Sequence, residues 1–249
     1  QRSRGCFSRM TTRLWWVRPE SFQATPTALA LLDSEERQQH QRYIPPAKQH
    51  EYLVTRVLVR SVLGKILGMP PATLHFVQNK WGRPALAPGL AATNIHFNVS
   101  HTDGLVVCLV STKHEVGVDT ERLSRAPTLL RLAPNVFASD ELAALSALPE
   151  KEQAQRAVHL WTLKESYIKA RGMGLAIPLD GFAFGFEQEG IRLKISPDLK
   201  DEGANWAFQS HTIGHHLIST TIARSAQNES SGTTIHFAEF DISAFCPRR

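Results

Sequence analysis

Asp119-Thr120-Glu121 comes directly after the apolar run Val116-Gly117-Val118. In an extended chain, side chains two apart share a face, so both carboxylates can turn to one metal ion. Mg²⁺ takes hard oxygen ligands and keeps several waters, so a few carboxylates and a substrate phosphate suffice for it. A third carboxylate, Glu165, lies in Trp161-Thr-Leu-Lys164-Glu165-Ser-Tyr-Ile-Lys169-Ala-Arg171. There Leu160, Leu163, Tyr167 and Ala170 recur at helical spacing, and Trp161, Glu165 and Lys169 line one side of the helix. A carboxylate and a lysine one turn apart suit a magnesium–phosphate site. The same residues also make an ordinary surface Glu–Lys pair beside a packed Trp. Ser100-His101 at a strand end and Arg83 in the rigid turn Gly82-Arg83-Pro84 offer phosphate contacts. Taken singly, each of these also reads as a turn or solvated residue. No P-loop, G-x-S-x-G elbow, H-E-x-x-H or Cys/His zinc spacing is present.

The elements that must hold these groups follow from pattern. Leu14–Val17 is a short opening strand. Thr27–Arg42 is a helix with Thr27 as its cap, closed by Pro45-Pro46. Ala47–Leu67 is a long amphipathic helix on Leu53, Val57, Leu58, Val62, Ile66 and Leu67, stopped by Gly68. Strands are expected at Leu74–Val77, Ile95–Val99, Leu105–Val110 and Val116–Val118. Arg122–Pro134 reads as a Pro-interrupted basic-apolar segment, and Ser139–Leu148 as a helix. After the Trp161 helix, Gly172 and Gly174 mark its stop. Phe182–Phe186 and Ile191–Ile195 alternate with period two, and Ala204–Phe208, His216–Ala223 and Ile235–Phe240 are further strands. Gln227–Thr234 reads as a mobile loop. The class is α+β with mostly antiparallel strands.

Bulk properties narrow the partners. The chain has 249 residues, 42% hydrophobic and 20% charged, which suits one large or two small globular domains. Its 28 Lys+Arg against 23 Asp+Glu give +5, favouring anionic partners such as nucleic acid, a phosphorylated cofactor or an acidic protein. Runs of Lys/Arg are absent, which counts against nucleic acid. Cys6, Cys108 and Cys246 lie far apart, arguing for a reducing compartment. No apolar run approaches a membrane span. Residues 1–9 read as an N-terminal extension or cloning remnant before Met10.

Ser100-His101-Thr102-Asp103-Gly104 is echoed by Ser210-His211-Thr212-Ile213-Gly214, each with a Phe upstream and a strand-like run after it. Two similar α+β halves, 10–117 and 118–249, with the chemistry at their seam, account for the echo; chance is the other account. The ordered set G-R-P, F-N-V-S-H, V-G-V-D-T-E, a helix after Phe137 with Glu141, and W-T-L-K-E-S-Y-I-K-A-R-G-M-G-L resembles the 4'-phosphopantetheinyl transferase superfamily, in its longer, pseudo-dimeric Sfp type. The similarity runs from about Met10 across nearly the whole chain.

The resemblance implies transfer of the 4'-phosphopantetheine arm of coenzyme A to a serine of an apo carrier protein, with adenosine 3',5'-bisphosphate as the other product. It implies that Asp119, Glu121 and Glu165 bind Mg²⁺, with Glu165 also the general base on the carrier serine. Lys169 would stabilise the leaving phosphate. Lys164 would hold the nucleotide side, and Ser100, His101 and Arg83 would contact coenzyme A phosphates. Arg37 and Arg42 are the candidates for the 3'-phosphate. The expected partner is an acidic acyl or peptidyl carrier, with Arg122–Arg131 as part of its docking surface. A cytoplasmic monomer is expected. The rivals are a Mg²⁺-dependent phosphodiester or pyrophosphate hydrolase, and a non-catalytic basic binding module.

Overall fold

A computed structural model of the chain describes residues 12–90, 94–199, 201, 205–224 and 234–241. The chain divides into two compact units: Gln1–Val77 with Pro84–Lys113 and Ile235–Arg249, and Gln78–Arg83 with His114–Thr234. The expected loop at Gln227–Thr234 lies, but for Thr234, outside the described residues, as do Cys6 and Cys246.

In the first unit, β1 (Thr12–Val17) leads to α1 (Pro26–Ala30), α2 (Ser34–Arg42) and α3 (Pro46–Leu67). The single helix expected over Thr27–Arg42 is two. Thr25, not Thr27, caps α1, accepting from the Ala28 N–H at 3.2 Å. Asp33 starts α2 with a capping box, trading hydrogen bonds with Glu36. That box makes a second helix start more favourable than continuation through Leu32. Proline at the first turn of α3 needs no N–H partner there, and Gly68 closes the helix in the left-handed conformation (φ 66°). The ribbon β2 (Phe76–Gln78) and β3 (Pro84–Leu86) follows, then β4 (His96–Thr102) and β5 (Leu105–Ser111). β4 runs through Ser100-His101 rather than ending before them. β1, β5 and β4 form an antiparallel sheet, and β11 (His236–Glu239) joins β1 in parallel. Leu58, Val62, Val106, Cys108 and Val110 share the core of this unit.

The second unit repeats the order. β6 (Val116–Arg122) leads to α4 (Ala126–Val136), α5 (Ser139–Ser146) and α6 (Glu150–Arg171), then to β7 (Phe182–Glu187), β8 (Gly190–Ile195), β9 (Trp206–Ile213) and β10 (His216–Ala223). The segment expected as a Pro-interrupted connector is helical, because its first proline stands at the helix start, where no N–H is needed. Its apolar face, Ala126, Leu129 and Ala133, is buried with α6. The sheet order β6-β10-β9 matches β1-β5-β4.

The sequence echo falls on matching hairpins, β4–β5 and β9–β10, but one residue out of step. Thr102 pairs with Leu105 across the first turn, whereas Ile213, not Thr212, pairs with His216 across the second. A one-residue slip exchanges faces. Accordingly His101 meets α3 in the first unit, whereas Ser210 meets α6 in the second.

Candidate active site

Asp119 and Glu121 occupy alternate positions of β6, opposite Ser219 and Leu217 of β10. Gly117 precedes them on the same face, the one against α6. A Cβ at Gly117 would lie 2.0 Å from the Ser166 carbonyl oxygen and 2.4 Å from the Ala170 nitrogen, so strand and helix touch backbone to backbone. This contact brings Asp119 into reach of α6. Lys169 Nζ donates to Asp119 Oδ1 at 2.6 Å. Glu165, one turn before Lys169, is half-buried. Its carboxyl is pushed above the usual range by burial first, then by the Asp119 charge, with Lys169 opposing.

Glu121 is held differently. One carboxylate oxygen accepts from the Arg122 N–H at 2.9 Å, and the other lies 3.4 Å from Arg125 Nε. The second unit thus gathers Asp119, Glu165 and Lys169, while Glu121 leans to the start of α4. Among the described residues, no three acids, histidines or cysteines form a ready metal cluster. The donor set still suits a hard divalent ion. Two carboxylates crowd each other enough to shift one of them, and a cation between them would relieve that repulsion as Lys169 now does in part.

Around this centre α6 packs on the sheet through hydroxyls. Thr162 Oγ1 and Ser219 Oγ share a hydrogen bond at 2.8 Å, as do Ser166 Oγ and Thr221 Oγ1. His159 Nε2 meets Ser210 Oγ at 2.7 Å, and burial depresses this imidazole to about 4.

Lys164 stands apart from the nucleotide contact expected of it. It is fully buried on another face of α6. Its ammonium donates to Leu179 O at 2.7 Å and Phe182 O at 2.6 Å and pairs with Glu141 Oε2 at 2.8 Å. Three partners take up its three donors. Burial lowers the Lys164 pKa and raises that of Glu141, while each charge opposes the other's shift. Glu141 also accepts from the Ala138 N–H at 2.8 Å and the Phe184 N–H at 2.8 Å, tying the start of α5 to β7. Sequence reasoning placed Glu141 at the start of a helix but gave it no partner on α6. Its place three residues into a helix was the available signal.

Arg83 is likewise drawn into its own unit, where a phosphate contact was expected. Its guanidinium donates to Ala170 O at 2.8 Å and Val116 O at 3.1 Å and pairs with Glu115 at 2.7 Å. Asn79 donates to Gly172 O at 2.8 Å. Together the Gln78–Arg83 loop satisfies carbonyls that the end of α6 leaves without helical partners.

The remaining expected residues belong to the first unit. Ser100 is buried on β4 opposite Val107. His101 Nδ1 lies 3.0 Å from Glu51 Oε1 on α3, a partner the sequence reading did not anticipate. Arg37 and Arg42 are exposed on α2. Arg37 lines a cavity of about 430 Å³ with Leu29, His40 and Gln49, and Arg42 does not.

Residues 115–221 match a family model described as the 4'-phosphopantetheinyl transferase superfamily, and residues 15–114 match one described as the N-terminal part of 4'-phosphopantetheinyl transferase. The 4'-phosphopantetheinyl transferase Sfp of Bacillus subtilis is 32% identical over 200 residues, covering 80% of this chain and 85% of that protein. The chain belongs to the 4'-phosphopantetheinyl transferase superfamily. Within it the match extends along the longer, Sfp-type members. The 4'-phosphopantetheinyl transferase gsp of Aneurinibacillus migulanus is 34% identical over 61% of this chain and 60% of that one. Among solved structures, a holo-(acyl-carrier-protein) synthase from Bacillus anthracis in complex with CoA (3',5'-ADP) covers 45% of this chain and is itself 96% covered, at 15% identity and a TM-score of 0.38.

Proposed function

We propose that Asp119, Glu165 and Lys169, with Glu121, form the reaction centre of a Mg²⁺-dependent phosphopantetheinyl transfer. The chain is a 4'-phosphopantetheinyl transferase: it moves the 4'-phosphopantetheine arm of coenzyme A to a serine of an apo carrier protein, giving holo-carrier and adenosine 3',5'-bisphosphate. The single observation that carries the site is the placement of Asp119, bonded to Lys169 at 2.6 Å, on the strand that touches α6 at Gly117, with Glu165 one turn before Lys169. A carboxylate at this position can accept the proton of a serine hydroxyl, directly or through a water. Asp119, Glu165 and Glu121 would hold Mg²⁺, which supplies charge neutralisation at the pyrophosphate. Lys169 would follow the charge that develops on the departing phosphate, exchanging Asp119 for it. Gly117 keeps these groups on two backbones in contact, so little reorganisation is needed.

Ser100 and His101 would take coenzyme A phosphates, and Arg37 is the basic residue proposed for the 3'-phosphate because it lines the cavity beside Leu29, His40 and Gln49. The proposed carrier is acidic around its serine and meets Arg122–Arg131, of which Arg125 and Arg131 are the exposed cations. A monomer is proposed, because both similar α+β units are carried by one chain. No described helix is long and apolar enough to cross a membrane. Cytoplasmic placement is proposed from the cysteine usage.

The test is to incubate the protein with Mg²⁺, coenzyme A and an apo carrier, and to weigh the carrier. A gain of one phosphopantetheine, lost with chelator, is expected. Release of adenosine 3',5'-bisphosphate without any carrier would point to the hydrolase instead.

A further inference from the structure

Glu51 is out of place on α3. Its neighbours Leu53, Val54, Val57 and Leu58 are fully buried, and Glu51 itself is only 8% exposed. A buried carboxylate is stable only with partners. Glu36, the acid of α2 that meets this helix, finds the fully buried Arg60. Glu51 instead looks outward. Its Oε1 accepts from Lys48 Nζ at 2.9 Å and lies 3.0 Å from His101 Nδ1, and both partners are about half exposed, at 56% and 48%. The core gains nothing from an acid whose bonds run to the rim.

We infer that Glu51 is a positioning residue for His101. A carboxylate against Nδ1 selects the form of the ring that carries a proton there and fixes the plane of the imidazole. Nε2 is then the nitrogen through which His101 meets a coenzyme A phosphate. Lys48 shares the same oxygen and offsets the carboxylate charge, which would otherwise repel that phosphate. The inference rests on the reading of His101 as a coenzyme A contact, and the experiment separates the two.

The experiment measures KM for coenzyme A and kcat, with Mg²⁺ and a saturating apo carrier, for Glu51→Leu, Glu51→Gln, His101→Ala and the double variant Glu51→Leu/His101→Ala. Residues that orient a metal-bound imidazole change affinity or activity by about tenfold or more, and the same scale is expected of a residue that orients a phosphate-binding one. Glu51→Leu and His101→Ala should each raise the coenzyme A KM about tenfold with kcat little changed. Glu51→Gln, which keeps an acceptor and the shape, should recover most of the wild-type KM. The double variant should be no worse than His101→Ala. A loss of folded protein lowers apparent kcat and leaves KM alone, so misfolding cannot imitate this pattern. A wild-type KM in Glu51→Leu, with a raised KM in His101→Ala, overturns the role of Glu51 and spares the reading of His101. A further rise in the double variant over His101→Ala also overturns it, since Glu51 would then act by another route. A wild-type KM in His101→Ala overturns the reading itself.

Discussion

The two units are built to one plan and filled differently. α3 and α6 are both 22 residues long, and both end on a left-handed glycine, Gly68 and Gly172. Counted from their first residues, Arg60 and Lys164 stand at the same position, and each is fully buried. Each pairs with the third residue of the preceding short helix, Glu36 for Arg60 and Glu141 for Lys164. The sheet registers align Asp119 with Trp15 and Glu121 with Val17. The helix count aligns Glu165 with Ser61, and Thr162 and Ser166 with Leu58 and Val62. What is apolar packing in the first unit is a hydroxyl-lined interface with carboxylates in the second. The shared features are the ones that hold a long helix on a sheet. The differing features lie where the proposed chemistry occurs.

The sharpest way to break this comparison is to exchange chemistry for packing. Asp119→Ala and Glu165→Ala should each lower kcat/KM on the order of a thousandfold, about 4 kcal/mol of barrier. Trp15→Phe and Ser61→Ala, at the matching positions, should leave kcat/KM near wild type. A comparable kinetic loss in the first unit would mean that the division of labour is wrong.

The shared buried cations come next. Lys164→Met strands Glu141 in the interior and should cost about 3–5 kcal/mol in urea unfolding, whereas Arg60→Met leaves Glu36 still paired with Arg56 and should cost less. The Lys164 loss should be the larger. Glu141 is fully enclosed, whereas Asp33, the second partner of Arg60, has a side chain 30% exposed and can turn to water. Lys164→Met with Glu141→Leu should regain most of the loss. Equal, small effects in both halves would demote these pairs to incidental contacts.

Acid should tell the units apart. His159 takes up its proton near 6.5 when unfolded and only near 4 when folded. Stability is therefore complete above about pH 6.5 and falls as pH drops toward 4, by roughly 3 kcal/mol across the window. His159→Gln should flatten that slope, read from unfolding midpoints at pH 7, 5.5 and 4.5. The matching residue of α3 is Thr55, which does not titrate in this range, so Thr55→Val should leave the slope intact. The smallest effect concerns Ser61, whose buried Oγ has no hydrogen-bond partner. Ser61→Ala should be neutral or stabilising by up to about 1 kcal/mol in the same assay.

Local pattern carried much of this. Period two placed Asp119 and Glu121 on one face, and spacing by four placed Glu165 with Lys169. Both are properties of a few adjacent residues. What escaped the sequence depends on partners far along the chain. Helical spacing separates the side of Lys164 from that of Lys169, but not that Lys164 is buried; its partner Glu141 is contributed by another helix. Arg83 in a Gly-Arg-Pro turn has the chemistry of a phosphate contact, yet it binds carbonyls at the end of α6. The Ser-His echo marked the correct pair of hairpins, but its register could be read only from strand pairing, and the slip reversed which side chain faces the helix. Arg122–Pro134 was misjudged because prolines were weighed as breakers without regard to their place in the helix.

The contact at Gly117 makes the distance between Asp119 and Glu165 a property of main chain rather than of rotamers. Such a gauge is blind to most of the sequence around it. Surface residues on α4, α5 or the β7–β8 hairpin can diverge without altering this backbone contact. Position 117 has no such latitude, since the smallest added side chain would pry strand from helix. The fold therefore separates what can drift from what cannot.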